Sequence, residues 1–182
     1  MTVFTHDDRV STVRVHEGGI INLRIDSLRS PDGLEVVREV VEHNGGVVIA
    51  AQPAADRVLL IKQYRYSIDE ELIELPAGRI EKGEDPFPAA GRELREETGF
   101  EAENWRELSR MFSAPGFCDE ILYLYAANGL SFLGKNLDID EHTDVMDLKL
   151  SEAWELVVQG KVRDAKTIAG LALLMLPDNS VQ

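Results

Sequence analysis

One segment constrains this chain more than any other, residues 78–100, which run GRIEKGEDPFPAAGRELREETGF. Within it, Glu93 and Glu97 lie four residues apart and Glu96 stands beside them. On an α-helix, residues four apart share a face, so this spacing stacks like charges. They would also lie near the helix C-terminus, whose dipole disfavours anions. A divalent cation resolves the conflict, because Mg²⁺ selects hard oxygen ligands and completes its shell with water and phosphate.

Local signals set the expected bounds of this helix at residues 86–98. Asp85 is placed to cap its start, and Pro86 occupies the first helical position, where a missing N–H has no cost. Gly99 follows the last turn, where a left-handed C-terminal cap belongs. The segment therefore predicts a loop that leads into an acidic helix.

A simpler interpretation is a solvated charged helix face, with Arg92 and Arg95 as local partners of the glutamates, since charge runs are usually solvated. The spacing of the whole segment, G-x5-E-x7-R-E-L-x-E-E-x-G-F, argues against it. This pattern resembles the Nudix box and departs from it at no position. The residues that carry the resemblance are Gly78, Glu84, Arg92, Glu93, Glu96, Glu97 and Gly99, with apolar Leu94 and Phe100.

Resemblance to Nudix hydrolases implies a Nudix-type α/β/α sandwich whose box helix presents carboxylates to metals that bridge a diphosphate. Glu93 and Glu97 would be the principal Mg²⁺ ligands, and Mn²⁺ is an expected substitute. Glu96 would be a further ligand and part of the catalytic machinery, and the Ala77 carbonyl would join the set.

The remaining box residues would support these ligands. By the same resemblance, Arg92 belongs with the catalytic residues and orients Glu93 or Glu84 through a salt bridge. Glu84 would brace the loop, while Gly78 and Gly99 would permit the backbone turns.

Residues that flank the box look like the ADP-ribose pyrophosphatase branch of the family. A proline lies 16 residues after Gly99. Membership of this branch would imply hydrolysis of ADP-ribose to AMP and ribose 5-phosphate. It would also imply a homodimer in which the N-terminal sheets help build the partner's nucleotide pocket. The flanking segments are Gln63–Tyr66, Glu74–Gly78, Ser113–Phe117 and Asp164–Thr167.

Substrate contacts are expected from two of these segments. Arg65 is the natural diphosphate contact, because a planar guanidinium bridges two phosphate oxygens; the alternative is a surface arginine at a strand end. Tyr64 or Tyr66 offers a ring that stacks on the base, although core packing is expected for at least one of them. Pro115 and Phe117 are expected on the substrate side, with Phe117 shaping the ribose end.

The branch takes its general base from a late acidic loop, which here spans residues 137–144. Glu141 is the expected base, because it is the only glutamate in that stretch. Relatives often carry two glutamates, and Thr143 stands where the second would fall, so Asp140 and Asp144 remain alternatives. A loop of this composition is also compatible with a solvated acidic surface.

The same box serves several enzymes, so other functions stay open. One alternative is a Nudix hydrolase of another nucleotide sugar, a dinucleotide or an oxidised nucleotide. A second alternative is a sensor that binds ADP-ribose without turnover. Such sensors usually lose box carboxylates, and this chain retains all of them, which favours the catalytic interpretation.

Composition narrows the partners and the compartment. The 182 residues carry a formal net charge of −14, which disfavours nucleic acid or an anionic membrane as a partner. The longest apolar run, Ile168–Leu176, has nine residues, far short of the roughly 20 that span a bilayer. Cys118 is the only cysteine, which excludes an intramolecular disulfide and makes a reducing cytoplasm the default compartment.

Hydrophobic periodicity predicts two regions. Residues 1–44 alternate apolar and polar side chains in three runs, which predicts an N-terminal antiparallel β-sheet, and the resemblance implies that it serves dimerisation. Residues 45–182 interleave strands and helices without regular βαβ spacing, which favours a mixed-sheet α/β sandwich. Beyond the box helix, further helices are expected over residues 151–159 and 165–176.

Overall fold

The computed structural model describes residues 3–134 and 143–176. Contacts divide the chain into two compact units. The first unit combines residues 1–45 with residues 112–121, and the second holds residues 46–111 and 122–182.

The first unit is built on a three-stranded antiparallel sheet in the order β1-β2-β3, with β1 at Arg9–Glu17, β2 at Ile21–Arg29 and β3 at Glu35–His43. The expected N-terminal sheet is therefore present. Every residue of β1 is exposed.

Residues 112–121 are attached to this sheet by hydrogen bonds to β3. The Val41 amide donates to the Phe117 carbonyl at 2.7 Å, and the Asp119 amide donates to the Val41 carbonyl at 3.1 Å. The sequence offered no signal for this attachment, because the segment follows β3 by about 70 positions and forms no strand of its own.

The second unit contains two sheets. One has the order β10-β5-β6 and is antiparallel. The other has the order β7-β4-β9-β8 and is mixed, because β4 pairs parallel to β9 and antiparallel to β7. The strands are β4 Gly46–Gln52, β5 Arg57–Arg65, β6 Glu70–Glu74, β7 Ala77–Arg79, β8 Phe100–Phe112, β9 Ile121–Phe132 and β10 Asp144–Lys149.

The described residues of the second unit also form three α-helices: α1 at Pro86–Thr98, α2 at Leu150–Val158 and α3 at Ala165–Met175. The predicted bounds of α1 are correct at both ends, and Gly99 adopts the expected left-handed conformation with φ of 80°. Asp85 stands at the N-cap, but its side chain makes no capping hydrogen bond. Among residues 3–134 and 143–176, none of the helices has the length and apolarity that a membrane crossing needs.

Strand β4 is buried on both faces and separates two halves of the core. Ile49 belongs to a cluster with Leu94 of α1. The next residue back, Val48, faces the opposite side and packs with Ala153 of α2 and Leu171 of α3. Successive strand residues point to opposite faces, so the sheet lies between α1 on one side and α2 with α3 on the other. The expected α/β/α sandwich is confirmed.

Candidate active site

Strand β4 brings the two ends of the box together. The Ile49 amide donates to the Pro76 carbonyl at 2.8 Å, and Val48 of β4 is the register partner of Ala77 at the start of β7. Helix α1 packs against the same strand through Leu94. The loop start and the acidic helix are therefore held against one rigid, buried element.

Gly78 allows the closest approach between β7 and α1. A Cβ atom at this position would lie 2.0 Å from Cδ of Glu93, a distance that no side chain tolerates. The Glu93 residue is only 9% exposed. A glycine is therefore required here because the Glu93 carboxylate occupies the space that a side chain would fill.

Glu97 lies one turn further along α1 and is 2% exposed. Its Oε2 accepts a hydrogen bond from the Ala77 amide at 2.9 Å. At the same turn, the hydroxyl of buried Thr143 donates to the Glu97 carbonyl at 2.7 Å. This carbonyl is one of the groups that a helix end leaves without an intrahelical partner, so Thr143 ties the start of β10 to the end of the box helix.

Arg92 connects three carboxylates of the box. Its Nη1 donates to Glu93 Oε1 at 2.8 Å and to Glu96 Oε2 at 2.9 Å. Its Nε and Nη2 donate to the two oxygens of Glu84 at 3.1 and 3.0 Å, and Nη2 also donates to the Arg79 carbonyl at 3.0 Å. Arg92 thus contacts both Glu93 and Glu84, the two alternatives that the resemblance implied.

The charges in this network shift one another's protonation. Hydrogen bonding from Arg92 lowers the pKa of Glu84 despite the opposing effect of burial. The Glu84 hydrogen bond, in turn, raises the pKa of the Arg92 guanidinium above its ordinary value, against burial. Glu84 is therefore ionised across the physiological range and holds Arg92 in place.

The carboxylates of Glu93, Glu96 and Glu97 are suitable ligands for a hard cation, although they do not lie together in one cluster. Within the described part of the chain, no three His, Cys, Asp or Glu side chains group as metal ligands. Glu93 and Glu96 are directed to Arg92, and Glu97 is directed to the Ala77 amide. All three offer oxygen donors only, on one helix turn beside a close-fitting glycine, which is the chemistry that Mg²⁺ favours.

Arg65, the expected diphosphate contact, ends strand β5 and forms a bidentate pair with Glu74. Its Nε and Nη2 donate to Oε1 and Oε2 of Glu74 at 2.8 and 2.7 Å. Glu74 is 1% exposed and takes a second cation from Lys166. Sequence reasoning singled out the segments that contain Glu74 and Lys166 but did not predict that they meet.

The expectation of core packing for Tyr64 or Tyr66 is wrong, because the side chains are 55% and 89% exposed. Tyr64 lies opposite Glu71 near the end of β5, beyond the buried stretch of that strand, and its hydroxyl donates to Asp69. Tyr66 begins a short 3₁₀ turn after the strand. Both rings are therefore accessible to a ligand.

The remaining predicted site residues fall in two places. Pro115 and Phe117 belong to the segment attached to β3 in the first unit, where both are exposed. Glu141 and Asp140 lie outside the described residues. Asp144, the other alternative base, begins β10 as the register partner of Lys62.

Comparison with known proteins places these features in a family. A family model described as "NUDIX domain" matches residues 42–171. A protein from Mycobacterium tuberculosis named "ADP-ribose pyrophosphatase" is 39% identical and aligns over 91% of this chain and 82% of its own. One from Bacillus subtilis with the same name is 35% identical over 93% and 92%. "Methanol dehydrogenase activator" from Bacillus methanolicus is 37% identical over 93% and 92%.

The fold has a counterpart among solved structures. The chain is similar to a chain of the solved structure described as "Crystal structure of ADP compounds hydrolase", with a TM-score of 0.80 at 22% identity. The alignment covers 91% of this chain and 90% of the other. At this identity the similarity establishes the arrangement of strands and helices.

Proposed function

The chain belongs to the Nudix family of hydrolases, and on this premise we propose that it is a Mg²⁺-dependent pyrophosphatase that hydrolyses ADP-ribose to AMP and ribose 5-phosphate, or a related ADP-sugar to AMP and the corresponding sugar phosphate. The observation that carries the proposal is the similarity to two ADP-ribose pyrophosphatases, which are 35% and 39% identical over 93% and 91% of this chain. The intact box favours turnover over mere binding.

We assign the metal ligands to Glu93, Glu96 and Glu97, with the carbonyl of Ala77. When bound, Mg²⁺ offsets the diphosphate charge and makes a water molecule a better nucleophile. Arg92 holds Glu93 and Glu96 side by side through a single Nη1. Helix α1 keeps the three carboxylates on one turn, and metal binding requires their side chains to turn from Arg92 and the Ala77 amide toward the ion.

We propose Glu141 as the general base. It precedes Thr143 by two positions, and Thr143 is bonded to the last turn of the box helix through Glu97. Asp144 is the alternative among the described residues.

Arg65 is the proposed diphosphate contact, and the exposed Tyr64 ring is available for the base of the nucleotide. Tyr64 is 55% exposed and close in sequence to Arg65. Pro115 and Phe117 are proposed as further substrate contacts. Phe117 is 59% exposed, which leaves its ring accessible.

We further propose a homodimer through the first unit. Val10, Val13, Val15 and Val37 of its sheet are each more than half exposed, and an exposed edge strand is a template for pairing with another chain. Light scattering after size exclusion is expected to give about 41 kDa, twice the chain mass of 20.3 kDa. A mass near 20.3 kDa would refute the dimer without affecting the catalytic proposal.

The cytoplasm is the proposed compartment, because the single thiol of Cys118 requires no oxidising environment. A nucleoside-diphosphate small molecule is the proposed partner. The net charge of −14 supports neither nucleic acid nor an anionic membrane surface as a partner.

The deciding experiment measures AMP release from ADP-ribose with Mg²⁺ and with EDTA. Under the same conditions, the release of the corresponding nucleoside monophosphate is measured for ADP-glucose, GDP-mannose, NADH and 8-oxo-dGTP. We expect hydrolysis of ADP-ribose that EDTA abolishes. Preferential hydrolysis of another compound would retain the box chemistry and reject the substrate. Tight binding of ADP-ribose without turnover under any divalent metal would support the sensor alternative.

A further inference from the structure

A charged cluster at the start of α3 contains Arg65 and three residues that have no role in the function as proposed so far. We call it the Glu74 cluster: Arg65, Glu74, Asp164 and Lys166. Glu74 lies at its centre, 1% exposed, and receives hydrogen bonds from both Arg65 and Lys166. Lys166 also lies 3.0 Å from Asp164, and the side chains of both are about 15% exposed.

The cluster is rigidly connected to the box. The carboxylate of Asp164 caps α3 by accepting from the Thr167 amide at 3.0 Å and the Thr167 hydroxyl at 2.6 Å. Thr167 then accepts from the buried Leu75 amide at 2.8 Å. Leu75 precedes Ala77 by two positions, so the first turn of α3 is bonded to the chain just before the metal-binding segment.

Charge in the cluster is balanced only if Lys166 is counted. Arg65 and Lys166 are two cations, and Glu74 and Asp164 are two anions. Burial alone would raise the pKa of Glu74, but the hydrogen bonds from Arg65 and the charge of Lys166 outweigh it and lower the pKa. Without Lys166, the cluster would carry a net negative charge in a buried setting, where charge interactions are strong.

Glu74 orients the Arg65 guanidinium so that its Nη1 edge stays available to a ligand. A guanidinium has five N–H donors, and Glu74 takes those of the Nε and Nη2 edge. Within residues 3–134 and 143–176, no hydrogen bond from Nη1 is present, and the Arg65 side chain is 36% exposed. Nη1 is therefore the edge that can meet a phosphate oxygen.

We propose that Lys166 is a positioning residue for diphosphate binding: it supplies a second cation to Glu74, so that Glu74 orients Arg65 without cancelling its attraction for the diphosphate. This inference rests on the proposed diphosphate contact of Arg65. Lys166 need not touch the substrate.

Three variants separate this role from others. Lys166→Met leaves one excess negative charge beside Arg65 and is expected to weaken diphosphate binding about tenfold, which corresponds to about 1.4 kcal/mol. Glu74→Gln removes the negative charge but keeps one oxygen that accepts from Arg65, so the stronger attraction for the diphosphate offsets the weaker orientation, and affinity within about threefold of the wild type is expected. The double variant restores the balance, so most of the lost affinity is expected to return.

The measurement is calorimetric titration of each full-length variant with inorganic pyrophosphate in the presence of Mg²⁺, with Lys62→Met as the matched control. Lys62 lies on the same strand as Arg65 and pairs with Glu71, but its side chain is 40% exposed. The control is expected to bind within twofold of the wild type. Lys166→Arg, which keeps the charge, is expected to recover at least half of the affinity.

Other roles of Lys166 give different results. If Lys166 contacted phosphate directly, or only stabilised α3, the double variant would bind as weakly as Lys166→Met, and the inference would be wrong. Wild-type affinity of Lys166→Met would also overturn it. If Lys166→Met does not fold, as judged by its thermal transition, Lys166→Gln takes its place, because it removes the charge and keeps a donor for Glu74: wild-type affinity of that variant contradicts the proposal.

Steady-state kinetics with ADP-ribose give a second readout. Lys166→Met is expected to raise KM about tenfold and to leave kcat within about twofold, because the metal ligands are untouched. An equal loss in kcat would contradict a positioning role in binding. Absence of ADP-ribose hydrolysis by the wild type would reject the proposed substrate, whereas the pyrophosphate titrations test Lys166 independently of that substrate.

Discussion

Two charged networks in the second unit each combine a buried glutamate with an arginine, but they differ in the balance of charge. In the box, the guanidinium of Arg92 forms ion pairs with the carboxylates of Glu84, Glu93 and Glu96. In the Glu74 cluster, the carboxylate of Glu74 forms ion pairs with two cations, Arg65 and Lys166. The first arrangement leaves an excess of negative charge, which attracts a metal cation. The second leaves a guanidinium edge uncommitted, which suits an anion.

The comparison shows how an acidic protein can bind a diphosphate. With a net charge of −14, the chain as a whole repels phosphate, so attraction must be produced locally. On the proposed function, the box does so through a bound metal, and the Glu74 cluster does so through one oriented arginine. Both networks are attached to the ends of the same short segment around Ala77.

The largest effect is expected when the box loses a carboxylate. Glu97→Gln is expected to lower kcat at least about a hundredfold, because a neutral amide is a poor ligand for Mg²⁺, while the Gln oxygen can still accept from the Ala77 amide. Turnover of ADP-ribose and a thermal melt are the measurements. Glu101→Gln, on exposed β8, is the control, and an unaffected rate for Glu97→Gln would remove the metal-site assignment.

The Glu74 cluster is expected to matter for stability as well as binding. Because the pKa of Glu74 is lowered in the folded state, its ionised form contributes stability above the ordinary pKa of about 4.3. That contribution is lost as the pH falls through the lower folded-state value. Glu74→Gln is therefore expected to cost about 2 kcal/mol at pH 7.

Urea unfolding of the wild type and Glu74→Gln, compared between pH 7 and pH 3, measures this dependence. The difference in the free energy of unfolding is expected to shrink toward acid pH. A difference that stays constant with pH would mean that the Glu74 charge does not contribute to it.

Close packing at Gly78 offers a smaller and more local test. Gly78→Ala places a Cβ against the Glu93 carboxylate, and we expect a loss of about 1.5 kcal/mol in stability with a clear drop in kcat as Glu93 is displaced. Gly91→Ala is the matched control, since a Cβ there meets no atom within 4 Å and alanine favours the helix. Equal activity of the two variants would contradict the required close approach.

The smallest effect is expected at an exposed ion pair. Lys62→Met removes the partner of Glu71, whose side chain is 54% exposed, and exposed ion pairs contribute little to stability. Its urea midpoint is expected to remain close to that of the wild type. A loss as large as that of Glu74→Gln would show that burial does not distinguish the two pairs.

Local patterns predicted some features to the residue. Helix α1 begins at Pro86 and ends before Gly99 as expected, because a proline start and a left-handed glycine end depend on backbone preferences of a few neighbouring residues. Tyr64 and Tyr66 show the limit of such reasoning. Their aromatic character suggested burial, but strand β5 runs beyond the buried core before it reaches them.

Pairings distant along the chain were not predictable in the same way. Lys166 meets Glu74 across 92 positions, and Val41 meets Phe117 through the backbone. No periodicity or spacing encodes such contacts. They arise because α3 packs on the face of β4 opposite α1, and because residues 112–121 lie along β3.

The sequence alone determined which chemistry the box can perform, because carboxylates at positions i, i+3 and i+4 share one face of any helix that they form. It also indicated a mixed-sheet α/β sandwich, because strands and helices are interleaved without regular βαβ spacing, while the α/β/α layer order was implied by the resemblance of the box. Only the tertiary structure decided which carboxylate each arginine binds and which arginine edge stays available. Those choices depend on distances between elements that pack together from separate parts of the chain, and such distances are set by the folded core.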